Sequence, residues 1–265
     1  MDNIMELKNI SHSYNNLKVL EQISLTIPEE KIVCFLGPSG SGKTTLFKIA
    51  ARLINPDRGE VFLKPEKRIG YIFQEPRLLP WKTVENNLKL VQNNYLAADK
   101  AQKIRKSLLD LTGLSDCIHN YPGQLSGGMK QRIEIIKALS INPDFLLMDE
   151  PFKSIDTQTR INFQKMLLRF QEQQALSMFI ITHDPEEAVM LADEIYVLSQ
   201  KPGKIIKKFI LEEPQPERTL KAENIFNVFQ QIIDIFQDLV DEFRWERDTE
   251  TFQILKEITG GKDRG

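Results

Sequence analysis

The run Gly37-Pro38-Ser39-Gly40-Ser41-Gly42-Lys43-Thr44-Thr45 directly follows the apolar stretch Lys31 to Leu36. It has the form G-x-x-x-x-G-K-[ST], a phosphate loop, set between a strand pattern and a helix pattern over Leu46 to Leu53. A tight glycine-rich turn aims successive backbone N–H groups at one point, and the helix behind it adds unpaired amides and the positive end of its dipole. Polyphosphate needs that arrangement. Lys43 then serves as a point charge on the outer phosphates, and the Thr44 hydroxyl is available to Mg²⁺.

The rest of the composition narrows the setting. The chain has 265 residues and a net charge of -2, so it carries no basic footprint for nucleic acid. Cys34 and Cys117 are its two cysteines and give no disulfide framework; Cys34 sits inside a strand pattern and acts there as a small apolar residue. No apolar stretch reaches the length of a membrane span, and the first residues lack the apolar core of a signal peptide. The expectation is a soluble cytoplasmic protein, held at any membrane by a partner.

Short apolar runs at Lys31 to Leu36, Phe145 to Met148, Met178 to Thr182 and Ile195 to Leu198 suit parallel strands covered on both faces. The first 30 residues alternate and predict short, half-exposed strands. Thr83 to Val91 and Asp99 to Leu111 are patterned as amphipathic helices, with Gly113 placed as a stop. Leu211 to Glu217 holds two prolines and reads as a linker. Beyond it, Ile225, Phe229, Ile232, Ile233, Phe236, Leu239, Val240 and Phe243 recur at helical spacing. Asp234, Asp238 and Asp241 on this stretch disfavour a membrane-lying helix, so it docks on its own domain or a dimer mate, or serves as an effector surface.

Two further motifs carry chemistry. Asp149-Glu150-Pro151 ends an apolar strand, where open α/β sheets place their ligands. Adjacent extended residues point to opposite sides, so Asp149 holds Mg²⁺ while Glu150 faces the water that attacks a γ-phosphate. The second is Leu125-Ser126-Gly127-Gly128-Met129-Lys130-Gln131-Arg132, opening a helix pattern over Met129 to Leu139. Its hydroxyl, bare amides and helix N-terminus form another anion site, far along the chain from the first. One chain has no evident need for two such sites; two chains arranged head to tail do.

Together these segments resemble the ATP-binding subunit of an ATP-binding cassette (ABC) transporter, over residues 4 to about 210. The resemblance implies ATP and Mg²⁺ and assigns roles. Tyr14 stacks on adenine, and Gly37, Pro38, Ser39, Gly40, Ser41, Gly42, Lys43, Thr44 and Thr45 form the phosphate loop. Gln74 touches Mg²⁺ and senses the γ-phosphate. Leu125 to Gln131, with Ser126, Gly127, Gly128 and Gln131, is the signature segment that closes on the ATP of the opposite subunit. Asp149 is the metal carboxylate, Glu150 the catalytic base and His183 the γ-phosphate histidine; Asp156 lies at the dimer-contact loop.

The segments Gln74 to Asn87, His183 to Ala188 and Leu198 to Ile205 resemble importers of nitrate, taurine and aliphatic sulfonates. The implied assembly is a homodimer on the cytoplasmic face of the membrane, joined to permease subunits and indirectly to an extracytoplasmic substrate-binding protein. Leu78 to Trp81 is an apolar patch apt for docking a permease helix, or else it packs the helical insertion. Lys153 stands where relatives usually carry a small residue, near the dimer seam, where it alters closure or pairs with a carboxylate across it. The expected fold class is α/β: a P-loop NTPase ABC ATPase core with a mostly parallel sheet and an antiparallel β layer. The domain spans residues 1–212, with a helical insertion at about 76–142, and a helical C-terminal tail spans 213–265. An exporter, a lipid-trafficking ATPase and a DNA-repair or translation ATPase share this core and are the rival readings.

Overall fold

The computed structural model describes residues 2–215 and 218–239. Strands β1 (Asn3–Tyr14) and β2 (Leu17–Pro28) form an antiparallel hairpin and are longer than the short strands expected. Their turn, Asn15-Asn16, has φ of 47° and 68°, the left-handed pair that matches strand twist in a two-residue hairpin. Register shifts interrupt the β1–β2 ladder, so the alternation breaks into pieces that mimic separate strands. Strand β4 (Arg58–Leu63) pairs with β1 on the other side, completing a three-stranded layer ordered β2-β1-β4.

The second sheet has six strands ordered β5-β6-β7-β3-β8-β9. Strands β5 (Ile69–Ile72), β6 (Phe145–Asp149), β7 (Ser177–Thr182), β3 (Ile32–Leu36) and β8 (Glu194–Leu198) run parallel, and β9 (Ile205–Ile210) is antiparallel to β8. Every residue of β3, β6 and β7 is buried, as continuous apolar runs require. Their side chains part by parity. Val33, Phe35, Phe145, Leu147, Phe179 and Ile181 pack toward the antiparallel layer and helix α1 (Lys43–Ala50). Cys34, Leu36, Leu146, Met148, Met178 and Ile180 join the opposite core, with α2 (Val84–Gln92), α4 (Gly127–Leu139), α5 (Thr157–Gln174) and α6 (Pro185–Leu191). Helix α3 (Ala98–Leu111) leans on α2 and α4, and Gly113 follows it at φ 65° as the expected stop.

Helix α1 starts at Lys43 and ends at Ala50, earlier at both ends than the pattern over Leu46 to Leu53 suggested. The phosphate loop therefore runs directly into helical amides. At the other end of the chain, the segment expected to be a linker is anchored. Leu211 is buried, and Arg218, 6% exposed, donates to the carbonyls of Val189, Ala192 and Glu213. A final helix, α7, occupies residues 223–239. Ile225 and Ile232 are fully buried in the core shared with the parallel sheet, and Phe229 and Phe236 pack against it. The apolar stripe thus docks on its own domain; Val240, Asp241 and Phe243 lie outside the described residues.

Removing buried methyl groups costs transfer energy plus the cavity left behind. Ile225→Ala should therefore destabilise the protein by about 2–5 kcal/mol, read as a lower denaturation midpoint. Ile206→Ala, on the exposed side of β9, should shift it by less than about 0.5 kcal/mol. Equal midpoints would detach the tail helix from the folded unit.

Candidate functional site

Adjacent strands β6, β7 and β3 release three loops at one sheet edge, their C-terminal ends. From β3 comes the phosphate loop, from β6 Asp149 and Glu150, from β7 His183. The phosphate loop and Glu150 border a cleft of about 350 Å³ lined by Tyr14, Gly40, Lys43, Thr44, Gln74 and Glu150, among others, whereas Asp149 and His183 are not among its lining residues.

The loop is fixed from beneath. Gly42 takes φ 101°, and a Cβ there would lie 2.9 Å from the Val19 carbonyl oxygen, so only glycine fits between the loop and β2. Lys43 is 6% exposed and donates to the carbonyls of Gly37 at 2.9 Å and Pro38 at 2.8 Å. Burial lowers its pKa, while Glu150 and Asp149 act to keep it charged. Ser41 is buried with no partner for its hydroxyl; Ser39, Gly40 and Thr44 are exposed; Pro38 is half-buried; Gly37 and Thr45 are buried.

Asp149 is 2% exposed, and its Oδ1 has no hydrogen-bond partner. Burial pushes its pKa up to about 6, against a hydrogen bond with Thr44 that draws it down. A buried orphan carboxylate oxygen beside a threonine hydroxyl, with Gln74 lining the same cleft, is a hard-oxygen donor set suited to Mg²⁺. Among the described residues no cluster of three His, Cys, Asp or Glu forms a self-contained metal cage.

Glu150 departs from the extended geometry expected of it. Its φ is 47°, and its N–H is anchored on the Ile181 carbonyl of β7 at 2.8 Å. Strain of this kind, over-determined by the surrounding sheet, recurs at reactive positions. The turn aims the carboxylate at His183, whose Nδ1 is 3.2 Å from Oε1. Lys153 faces Oε2 at 3.2 Å, an ion pair within the chain. Lys153 and Lys201 also line the cleft. Neither was singled out by sequence as a cleft cation. Lys201 arrives through Gly203, whose N–H and carbonyl bond to β2 beside the loop, a contact no local pattern announces.

Tyr14 lines the same cleft with 45% of its surface exposed and the His12 ring edge-on at 4.7 Å. The signature residues are not in it. Ser126 caps α4, accepting from the Met129 N–H at 3.2 Å, and with Gly127 stays exposed. Gly128 packs so tightly that a Cβ would sit 2.9 Å from the Ser154 carbonyl oxygen. Gln131, grouped with the nucleotide contacts above, is 1% exposed and gives its amide to the Pro151 carbonyl. In this structure it braces the loop after Glu150 instead of facing the cleft. Asp156 caps α5 through the Thr159 N–H at 3.0 Å.

Comparisons with known proteins agree with this geometry. Residues 20–153 match the family model described as ABC transporter. The chain is 37% identical to the aliphatic sulfonates import ATP-binding protein of Bacillus cereus, covering 87% of this chain and 93% of that protein. It is 40% identical to a protein of the same description from Paracoccus denitrificans, over 80% of this chain and 85% of the relative. A solved dimeric ATP-binding cassette in a post-hydrolysis state, bound to ADP and phosphate, shares 28% identity and a TM-score of 0.71. That match covers 79% of this chain and 100% of the other.

The raised pKa of Asp149 has a testable consequence. Metal binding needs the ionised carboxylate, and a group titrating near 6 loses that form as pH falls from 7 to 5. Mg²⁺-dependent ATP affinity, measured by calorimetry, should weaken over this window by up to about tenfold per pH unit below the pKa. Asp149→Asn shares the titration of ATP itself and removes this additional slope. Parallel pH curves for parent and variant would take Asp149 out of metal binding.

Proposed function

Because the chain belongs to the ABC transporter family, with ATP hydrolysis as its activity, we propose that its cleft is one half of a composite ATP site completed by a second copy. The observation that supports this most is the separation within one chain. Lys43, Thr44, Gln74 and Glu150 line one cleft, whereas Ser126 and Gly127 stand exposed on a helix N-terminus elsewhere. A mate presenting that N-terminus to the γ-phosphate supplies the missing donors.

The roles follow from position. Backbone amides of the loop and Lys43 neutralise phosphate charge, and Tyr14 offers an open ring face to adenine. Asp149, Thr44 and Gln74 would hold Mg²⁺, which would supply charge neutralisation to the phosphates. Glu150 orients a water and takes its proton as the water oxygen bonds to the γ-phosphorus. The bond to the bridging oxygen breaks, releasing ADP and phosphate. His183, held by Glu150, steadies the γ-phosphate. Such catalysis is mainly positioning and charge stabilisation.

The named relatives are importer subunits, and this chain energises import through a separate permease. The cargo we propose is an aliphatic sulfonate or a related small organic anion, delivered by an extracytoplasmic binding protein. No helix among the described residues is long and apolar enough to cross a membrane, which agrees with a peripheral subunit on the cytoplasmic face. Trp81 is 69% exposed and so is not packed into the helical insertion, leaving it available to a permease helix.

Subunit mixing tests the composite site. Ser126→Arg and Glu150→Gln homodimers each carry lesions in both sites and should be nearly inactive. In a mixed dimer one site collects both lesions and the other is intact, so mixing two inactive proteins should restore hydrolysis. No recovery, in mixed dimers shown to form and in which a crosslinked one-site control turns over, would overturn the composite reading.

A further inference from the structure

Glu134, on α4 within the signature helix, is a fully buried carboxylate at 0% exposure. Its Oε2 accepts from Lys137 Nζ at 2.6 Å, one helical turn on, and its Oε1 has no hydrogen-bond partner. The same Lys137 ammonium donates to the Arg77 backbone carbonyl at 2.9 Å. The Arg77 N–H also lies toward this carboxylate and, with Lys137, works against the burial that raises its pKa. An ion pair on one helix thus holds the main chain of a loop sixty residues earlier.

That loop carries the elements of interest. The Arg77 guanidinium lies 4.8 Å above the Phe73 ring, and Phe73 packs edge-on against Phe47 of α1 at 5.5 Å. Gln74 is therefore the start of a short span between an anchor on the phosphate-loop helix and an anchor on α4. Past Arg77, the buried Asn87 amide donates to the carbonyls of Leu79, Lys82 and Thr83 and accepts the Leu79 N–H at 2.7 Å. This staple leaves Trp81 standing outward. Helices α2, α3 and the end of α4 are cross-braced as well: Gln92 donates to the carbonyls of Ala101 and Ser140 and accepts from Arg105 at 2.6 Å.

We propose that the Glu134–Lys137 pair is a positioning device that locks the Gln74–Trp81 loop to α4, so that this loop and Ser126 move as one body. Buried ion pairs rarely stabilise a fold more than apolar packing of the same volume, and their best-attested use is to fix one arrangement among several. Here the arrangement fixed is the register of a loop on a helix. The functional side of the inference rests on the roles given above to Gln74 and Ser126. The loop that meets the nucleotide at one end and a permease at the other then drags the signature N-terminus with it.

The test uses the full-length dimer carrying Glu134→Leu with Lys137→Met, which replaces the pair by apolar groups of similar size and should fold at least as well as the parent. Three quantities are read: ATP affinity, kcat, and backbone hydrogen exchange over residues 75–82. Affinity should stay within about twofold, because Lys43 is untouched, while kcat falls about ten- to a hundred-fold, the scale for a small misplacement of catalytic parts. Exchange over 75–82 should accelerate, and Lys137→Arg, which keeps a donor for Arg77, should retain most of kcat. If the double variant does not fold, Glu134→Gln must show the same split at smaller size. Parental exchange over 75–82 overturns the lock. Faster exchange with parental kcat overturns its functional role, unless Gln74→Ala also leaves kcat unchanged; that result faults the role of Gln74 and leaves the lock standing.

Discussion

A buried ammonium must be surrounded by oxygen, and the site is organised around that requirement at Lys43. The loop carbonyls of Gly37 and Pro38 accept from it, and Asp149 and Glu150 sustain its charge from the end of β6. Ser41 Oγ and Asp149 Oδ1 are buried without hydrogen-bond partners, both belonging to the loop and strand end around one cleft. Buried polar atoms left without partners in a folded protein call for an explanation, and a bound metal–polyphosphate would supply one here.

The sheet order makes this possible at little local expense. Strands β6, β7 and β3 are neighbours, so loops more than a hundred residues apart in sequence emerge side by side. The parity of their side chains assigns one face to the antiparallel layer and the other to the helical layer and α7. The helical layer covers that opposite face of the sheet. It holds Ser126 and Trp81 on its outside, while its interior is tied by the polar contacts of Asn87, Gln92, Arg105, Glu134 and Lys137. Rigidity within that layer and exposure at its edges suit an element that transmits motion rather than binding nucleotide alone.

Much of this was legible in sequence because the motifs coincide with strand ends. A phosphate loop after Leu36 and carboxylates after Met148 place themselves once the apolar runs are read as parallel strands. What escaped depends on partners distant in sequence. The left-handed backbone of Glu150 is imposed by the Ile181 carbonyl, which no local pattern encodes. Lys201 reaches the cleft because Gly203 hydrogen-bonds beside the phosphate loop. Arg218 captures carbonyls at the end of α6, although two prolines just before it make that stretch of sequence look like a free connection. Gln131 belongs to a motif associated with nucleotide, yet its helical position turns it inward to Pro151.

The central claim is a division of labour: Lys43 serves the bound ground state, and Glu150 serves the step that breaks the phosphate bond. Measuring ATP affinity and single-turnover hydrolysis side by side for Lys43→Ala and Glu150→Gln separates the two. Glu150→Gln should bind ATP as the parent does and hydrolyse it at least about 10²-fold more slowly, the scale for a general acid–base group. Lys43→Ala should show its main loss in affinity. Near-parental hydrolysis by Glu150→Gln, or unchanged ATP affinity in Lys43→Ala, would contradict the assignment.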